Sequence, residues 1–215
     1  MKIKSTYLIF FLFILVSFGL AFYFYPLMPD QMVSHWSVNG QPDGHSSKLL
    51  GLFLMPVLMI IFTILFLIIP KLDPLKENIK SFYKYFEIFI FVFNLFLLYL
   101  YGLTIVFNLG YNFNMLSFLM PAFAALFYFI GIMMGKAKRN YFIGIRTPWT
   151  LASDRVWEKT HKMGEILFKL AALPFLISIF FPTLGFIIFL VYIIGISLWL
   201  VVYSCLEFQK EKNKS

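Results

Sequence analysis

Of 215 residues, 61% are hydrophobic, 21% aromatic and only 13% charged, and the formal net charge is +8 at pH 7. Soluble domains carry about 25% charged residues, so this composition excludes one and points to an integral membrane protein. Cys205 is the single cysteine, which excludes an internal disulfide.

Crossing a hydrocarbon core of about 30 Å takes about 20 helical residues, and six apolar runs approach or exceed that length, at about 6–25, 49–70, 84–107, 115–134, 165–181 and 183–205. Helices are expected because backbone groups in lipid must be paired within the segment, whereas a barrel would show short alternating stretches. The expected fold class is therefore all-α, a polytopic membrane protein of six transmembrane helices with one long outer and one long inner connection. Residues 1–110 would form a three-span region containing the outer segment 26–48, and residues 111–215 a second three-span region containing the inner segment 140–164. Pro56 and Pro174 lie early in the second span of each half. That spacing fits an inverted repeat, but the halves share no residue-level similarity and proline is common in membrane helices, so coincidence of length is the favoured reading.

The first run follows Lys2 and Lys4 but is longer than a signal-peptide core and lacks a small-x-small cleavage site, so an uncleaved anchor is expected. Next comes MPDQMVSHWSVNGQPDGHSSK, with Asp30, His35, Asp43 and His45. Their spacing matches no standard metal site, and no metal or cofactor is expected. Asn39-Gly40 and Pro42-Asp43-Gly44 read as turns. The segment is expected to be a compact re-entrant or surface loop with Trp36 seated at the interface, and His35 and Trp36 are candidate ligand-binding residues.

Within the third span, Glu87 lies near Lys84 and Lys80, which could neutralise it, and Asn94, Thr104 and Asn108 are expected to bond between helices. Gly131 and Gly135 form a small-xxx-small pair in the fourth span, fit for close helix contact or for relief of crowding. Threading six spans puts every basic residue except Lys48 on one side. By the positive-inside rule that side is cytoplasmic, with both termini there, in the cell membrane. The lipid bilayer is the first partner of this charge; direct nucleic-acid binding is not expected, because the basic residues are spread over four segments.

The inner segment NYFIGIRTPWTLASDRVWEKTH mixes cations with Tyr141, Phe142, Ile143, Ile145, Trp149 and Trp157. A connection so rich in rings should fold or dock. Pro148 pushes Thr147 toward an extended conformation, so Arg146–Trp149 should bend; Ser153 is then a good N-cap for a helix running into the fifth span. Glu158 precedes Lys162, and Trp157 precedes His161, each by four residues. This helix could be an interfacial anchor or a binding surface. Arg146, Thr147, Pro148, Trp149, Trp157 and His161 are the candidate ligand- or partner-binding residues, and Arg146, Trp149, Trp157 and His161 are expected to converge. No nucleophile-base pair, phosphate loop or paired carboxylates appear, so no catalytic residue and no enzyme is expected. Asp154, Glu158 and His161 are the one acid-base candidate, and salt bridging accounts for them as well.

NYFIGIRTPWTL followed by SDRVWEKTHKMG resembles the signature of the SdpI family of bacterial membrane proteins, and the outer segment is similar to the uncharacterised domain that often precedes it. Glu165 stands where a second small residue would be expected after Gly164. The family's namesake gives immunity to a secreted killing peptide and acts as a receptor that holds a cytoplasmic repressor at the membrane. The resemblance therefore implies an immunity or receptor protein, with an extracellular amphipathic peptide toxin and a cytoplasmic repressor as partners. The alternative is a transporter of peptide or small solute, although few charges are buried in the spans.

Overall fold

A computed structural model describes residues 3–213, with side chains from residue 7. Lys2 and Lys214 lie outside the described residues, as does the side chain of Lys4. The chain runs α1 (Ile3–Phe24), a 3-10 turn (Tyr25–Leu27), β1 (Gln31–Trp36), β2 (Pro42–Ser47), α2 (Lys48–Leu72), α3 (Lys76–Asn108), α4 (Met115–Met134), α5 (Pro148–Ala152), α6 (Asp154–Leu170), α7 (Pro174–Ser178) and α8 (Pro182–Lys212). Among the described residues five helices, α1 to α4 and α8, are long and apolar enough to cross a membrane. Large apolar side chains such as Phe11, Leu54, Ile64 and Val191 stand exposed on them, as lipid-facing helices require.

The run expected as a fifth span, 165–181, is not one helix. It consists of the end of α6, a turn over residues 171–173, and α7. Pro174 and Pro182 each start a new helix, since proline lacks the N–H that would continue the old one and fits the first turn of the next.

The all-α expectation also needs correction at the 26–48 segment, which forms an antiparallel hairpin. Its loop closes through Gly40, whose φ of 73° suits glycine. A two-stranded hairpin alone is marginal in water, so its docking explains it. Met32 is fully buried with Leu52, Tyr101 and Ile105. Asn108, expected to bond between helices, instead acts as a third strand: its Oδ1 accepts from Val33 N (2.7 Å) and its Nδ2 donates to Val33 O (3.0 Å). Asn114 Nδ2 donates to Asn39 O at 3.1 Å. Thr104 bonds its own helix at Leu100 O, whereas Asn94 does bridge helices, accepting from Thr63 Oγ1 at 3.1 Å. Replacing Asn108 with Ala leaves both polar groups of Val33 unpaired, a cost of about 1–3 kcal/mol. The expected result is faster hydrogen exchange over 31–47, with the exchange of α8 unchanged.

Between helices in lipid there is no hydrophobic drive, so close packing decides what touches. At Gly131 the backbones of α4 and α6 nearly meet: an added Cβ would lie 2.8 Å from Glu165 O and 2.9 Å from Lys169 N. The core at this end joins Phe10, Phe86 and Ile90 to Met133, Ile143 and Trp157, so it is built from both halves of the chain.

Candidate functional site

The 140–164 segment folds at one end of the bundle, opposite the hairpin along α3. Asn140 is fully buried and holds its first turn. Its Oδ1 accepts from Phe142 N (2.9 Å) and Ile143 N (2.6 Å), while its Nδ2 donates to Lys138 O and Ile143 O, both at 2.9 Å. Asp73, buried between α2 and α3, pins the turn from outside: one carboxylate oxygen accepts from Leu75 N (2.7 Å), the other from Tyr141 N (2.8 Å). Asn78 Nδ2 adds a bond to Arg139 O at 2.8 Å.

Pro148 and Trp149 do not lie in a bend but in the first turn of α5. Thr147 is its N-cap and forms a capping box with Thr150. Proline at the first helical position costs nothing there, because that N–H has no intrahelical partner. Ser153 caps α6 as expected, accepting from Val156 N.

Trp157 and His161 come together. Their rings stack with centroids 4.0 Å apart and planes at 15°, and both are buried. Trp157 Nε1 donates to Ala137 O (2.8 Å), and Ile145 N donates to His161 Nε2 (3.0 Å). Nε2 is thus the acceptor nitrogen, which leaves Nδ1–H to donate to Trp157 O at 2.9 Å. The two rings clamp the preceding loop onto α6. Gly144 makes this approach possible: its φ is 109°, and a Cβ there would collide with His161 Nε2.

Arg146 and Trp149 do not join that pair. Arg146 is exposed, and its Nη1 closes the loop by donating to Tyr141 O at 2.7 Å. Among the described residues the cation-π contacts are Lys48 over Tyr25 and Lys136 over Tyr85, so Arg146 stacks on neither Trp ring. The planar guanidinium is satisfied by a carbonyl instead. Trp149 is half-buried beside it. The expected four-residue cluster is therefore two features: a buried Trp157-His161 clamp, and a surface carrying Arg146, Trp149, Tyr141 and Phe142.

The end of α8 completes this region. Thr147 Oγ1 and Ser204 Oγ are 2.9 Å apart, Ser153 Oγ donates to Glu211 Oε2 (2.6 Å), and Glu207 takes Lys159 and Lys210. Arg139 pairs with Asp154 at 2.8 Å. A cleft of about 270 Å³ beside this last pair is lined by Lys136, Lys138, Arg139, Asp154, Glu158 and His161.

Burial pushes the His161 imidazole down to about 4 from 6.5, partly offset by its bond to Trp157 O. Between those values the unfolded chain binds more protons than the folded one, so stability falls as pH drops through this window. By pH 5 the loss should reach about 2 kcal/mol. Thermal midpoints in nanodiscs should fall from pH 7 to pH 5, and His161→Gln should remove most of that slope. An equal slope in the variant would show that other groups carry it.

At the hairpin end His35 Nδ1 and Asp43 Oδ1 are 2.5 Å apart, and Asp30 pairs with Lys48 at 3.0 Å. Trp36 packs edge-on against Phe107, with centroids 5.4 Å apart. Trp36 and His35 are thus far from the clamp, at the other end of α3.

A bundle of long apolar helices with a docked hairpin at one end and a ring-clamped loop at the other defines a multi-pass membrane protein. Residues 136–204 match the SdpI/YfhL protein family, and residues 12–60 match DUF1648, a domain of unknown function. The SdpI/YfhL match thus follows the DUF1648 match along one chain. The chain is 29% identical over 202 residues to Immunity protein SdpI of Bacillus subtilis (strain 168), covering 92% of each chain. It is also 41% identical over 49 residues to Uncharacterized membrane protein YbgB of the same organism, covering 23% of this chain and 54% of the relative. No solved structure matches the chain.

Proposed function

We propose that this chain is a membrane immunity and receptor protein. Its hairpin end faces outward and recognises an amphipathic peptide toxin, and its opposite end presents the 140–164 surface to a cytoplasmic regulator. The observation that carries this reading is the likeness to Immunity protein SdpI along 92% of both chains, which takes in hairpin and clamp together. His35 and Trp36 are the recognition residues of the reading; Arg146, Pro148 and Trp149, with Thr147 buried behind them, form the docking surface, and Trp157 and His161 hold it.

Six crossings, with both termini inside, fit the antiparallel pairing of α8 with α6 and α7. Ser204 lies beside Thr147, Tyr192 bonds Leu167 O, and Gly185 packs on Ser178. From Ser204 to Gly185 α8 rises about 29 Å, close to the hydrocarbon core of about 30 Å. On the facing side Lys159, paired with Glu207, and Ser178, packed on Gly185, bracket nearly the same depth, so the end of α6 and α7 together make the fifth crossing in this reading.

Two measurements test it. In a Cys205→Ser background, Asn39→Cys should react with an impermeant thiol reagent in intact cells, and Ala152→Cys should not; the reverse would overturn the orientation. Cells producing the protein should survive a killing peptide that kills cells without it, and Trp36→Ala should remove this protection while abundance is unchanged. Net transfer of the peptide across proteoliposomes would favour transport over reception.

A further inference from the structure

The cleft of about 270 Å³ at the clamp end is too small for a drug-sized ligand, whose pockets run from about 300 to 1,000 Å³, but has room for a phosphate group. Its depth is set by α4, an apolar span that ends at Met134. Lys136, Lys138 and Arg139 follow directly in the chain and line the cleft. Lys136 Nζ lies 5.8 Å from the ring centroid of Tyr85 on α3, so a cation and an aromatic ring meet where apolar helix gives way to water. That is the depth of lipid headgroups.

Charge decides what fits. Arg139 and Asp154 pair at 2.8 Å and cancel each other. Lys136 and Lys138 are exposed and belong to no ion pair among the described residues; nor does Glu158, the other acid in the walls. His161 is neutral, one ring nitrogen donating and the other accepting. The walls therefore carry one net positive charge, which a phosphodiester monoanion neutralises. A zwitterionic headgroup would leave that charge unmet, and a dianionic phosphate monoester would overshoot it beside Glu158. Basic pockets between membrane helices bind anionic headgroups, each lysine near the surface strengthening the hold by about fivefold.

We propose that this cleft binds the headgroup of one anionic phospholipid of the phosphatidylglycerol type, with Lys136 and Lys138 on its phosphodiester and Glu158 accepting from a headgroup hydroxyl. An acidic segment of a soluble protein would meet the same cations, but lipid phosphates already stand at this depth. Asn78, Trp157 and His161 also line the cleft. The bound lipid thus bridges α3, the end of α4 and the clamped helix α6, and steadies the loop that the clamp holds.

The full chain in detergent micelles, titrated with phosphatidylglycerol and weighed by native mass spectrometry, should retain one lipid more tightly than the rest. Lys136→Gln combined with Lys138→Gln should weaken that lipid by at least about tenfold, whereas Arg at both positions should keep it. Lys71→Gln combined with Lys84→Gln removes two charges outside the cleft and should weaken it by less than about threefold. Should the first pair fail to fold, Lys138→Gln alone, expected at about fivefold, takes its place. Protease cutting within residues 140–147 should slow when phosphatidylglycerol is added to the wild-type, and not in the first pair. An equal loss in both Gln pairs would reduce the site to diffuse attraction and overturn it, as would phosphatidylethanolamine held as tightly as phosphatidylglycerol. Inorganic phosphate that displaces the lipid at equal concentration would give the cleft to a free anion, and hexaglutamate that does so would give it to an acidic protein; either result overturns the lipid assignment.

Discussion

Gly144→Ala should destabilise the clamped loop by about 4 kcal/mol, from a strained backbone and a side chain forced into a filled space. At φ 109° an L-residue is strained whatever its size, and the new Cβ would strike His161 Nε2, the atom that accepts from Ile145 N. Rapid proteolysis within residues 140–147 is the expected readout, together with a lower thermal midpoint. Adding His161→Ala removes the collision but not the strain, so the double variant should recover against Gly144→Ala alone, even though His161→Ala by itself weakens the wild-type. Wild-type resistance to protease in Gly144→Ala would show that the loop is not held by this approach.

Gly131→Leu should separate α4 from α6, at a cost of about 3 kcal/mol or more. The atoms in the way are Glu165 O and Lys169 N, main-chain groups that cannot swing aside. Gly131→Ala should cost less, about 1–3 kcal/mol, because only one carbon must be accommodated. Gly102 supplies the control: nothing lies within 4 Å of a Cβ there, so Gly102→Ala should be neutral or slightly stabilising. Denaturation in mixed micelles, followed by Trp fluorescence, would rank the three. A Gly131→Leu protein as stable as Gly102→Ala would refute the close approach.

What the sequence reveals here depends on how local the cause is. Spans one to four and the last announce themselves by length and hydropathy, because lipid imposes those on any crossing helix. Ser153 as a cap and the Trp157-His161 spacing are also local, and the structure places both as the periodicity implies. The hairpin carries a readable signal in Asn39-Gly40, a strong turn for two strands, but its strands are short and polar, and the docking partners Asn108 and Asn114 come from far along the chain. The break in the fifth run is foreshadowed by Pro174 and Pro182. Asn140 and Gly144 could have been singled out as turn formers within the motif, whereas nothing in the sequence says that Asp73 would reach Tyr141 N. The place of Arg146 is not legible, because the stacking ability of a guanidinium tells where it can bind and not that Tyr141 O is nearer.

The length of α8 has a mechanical consequence. Its 31 residues make a rod of about 46 Å, about 16 Å longer than a hydrocarbon core, and the surplus end is the part bonded to Thr147, Ser153 and Lys159. Such a rod is a lever: a lean of about 10° from the membrane normal sweeps its tip sideways by about 8 Å. Packing against α4, α6 and α7 sets that lean, so those contacts also fix where the α5–α6 face sits.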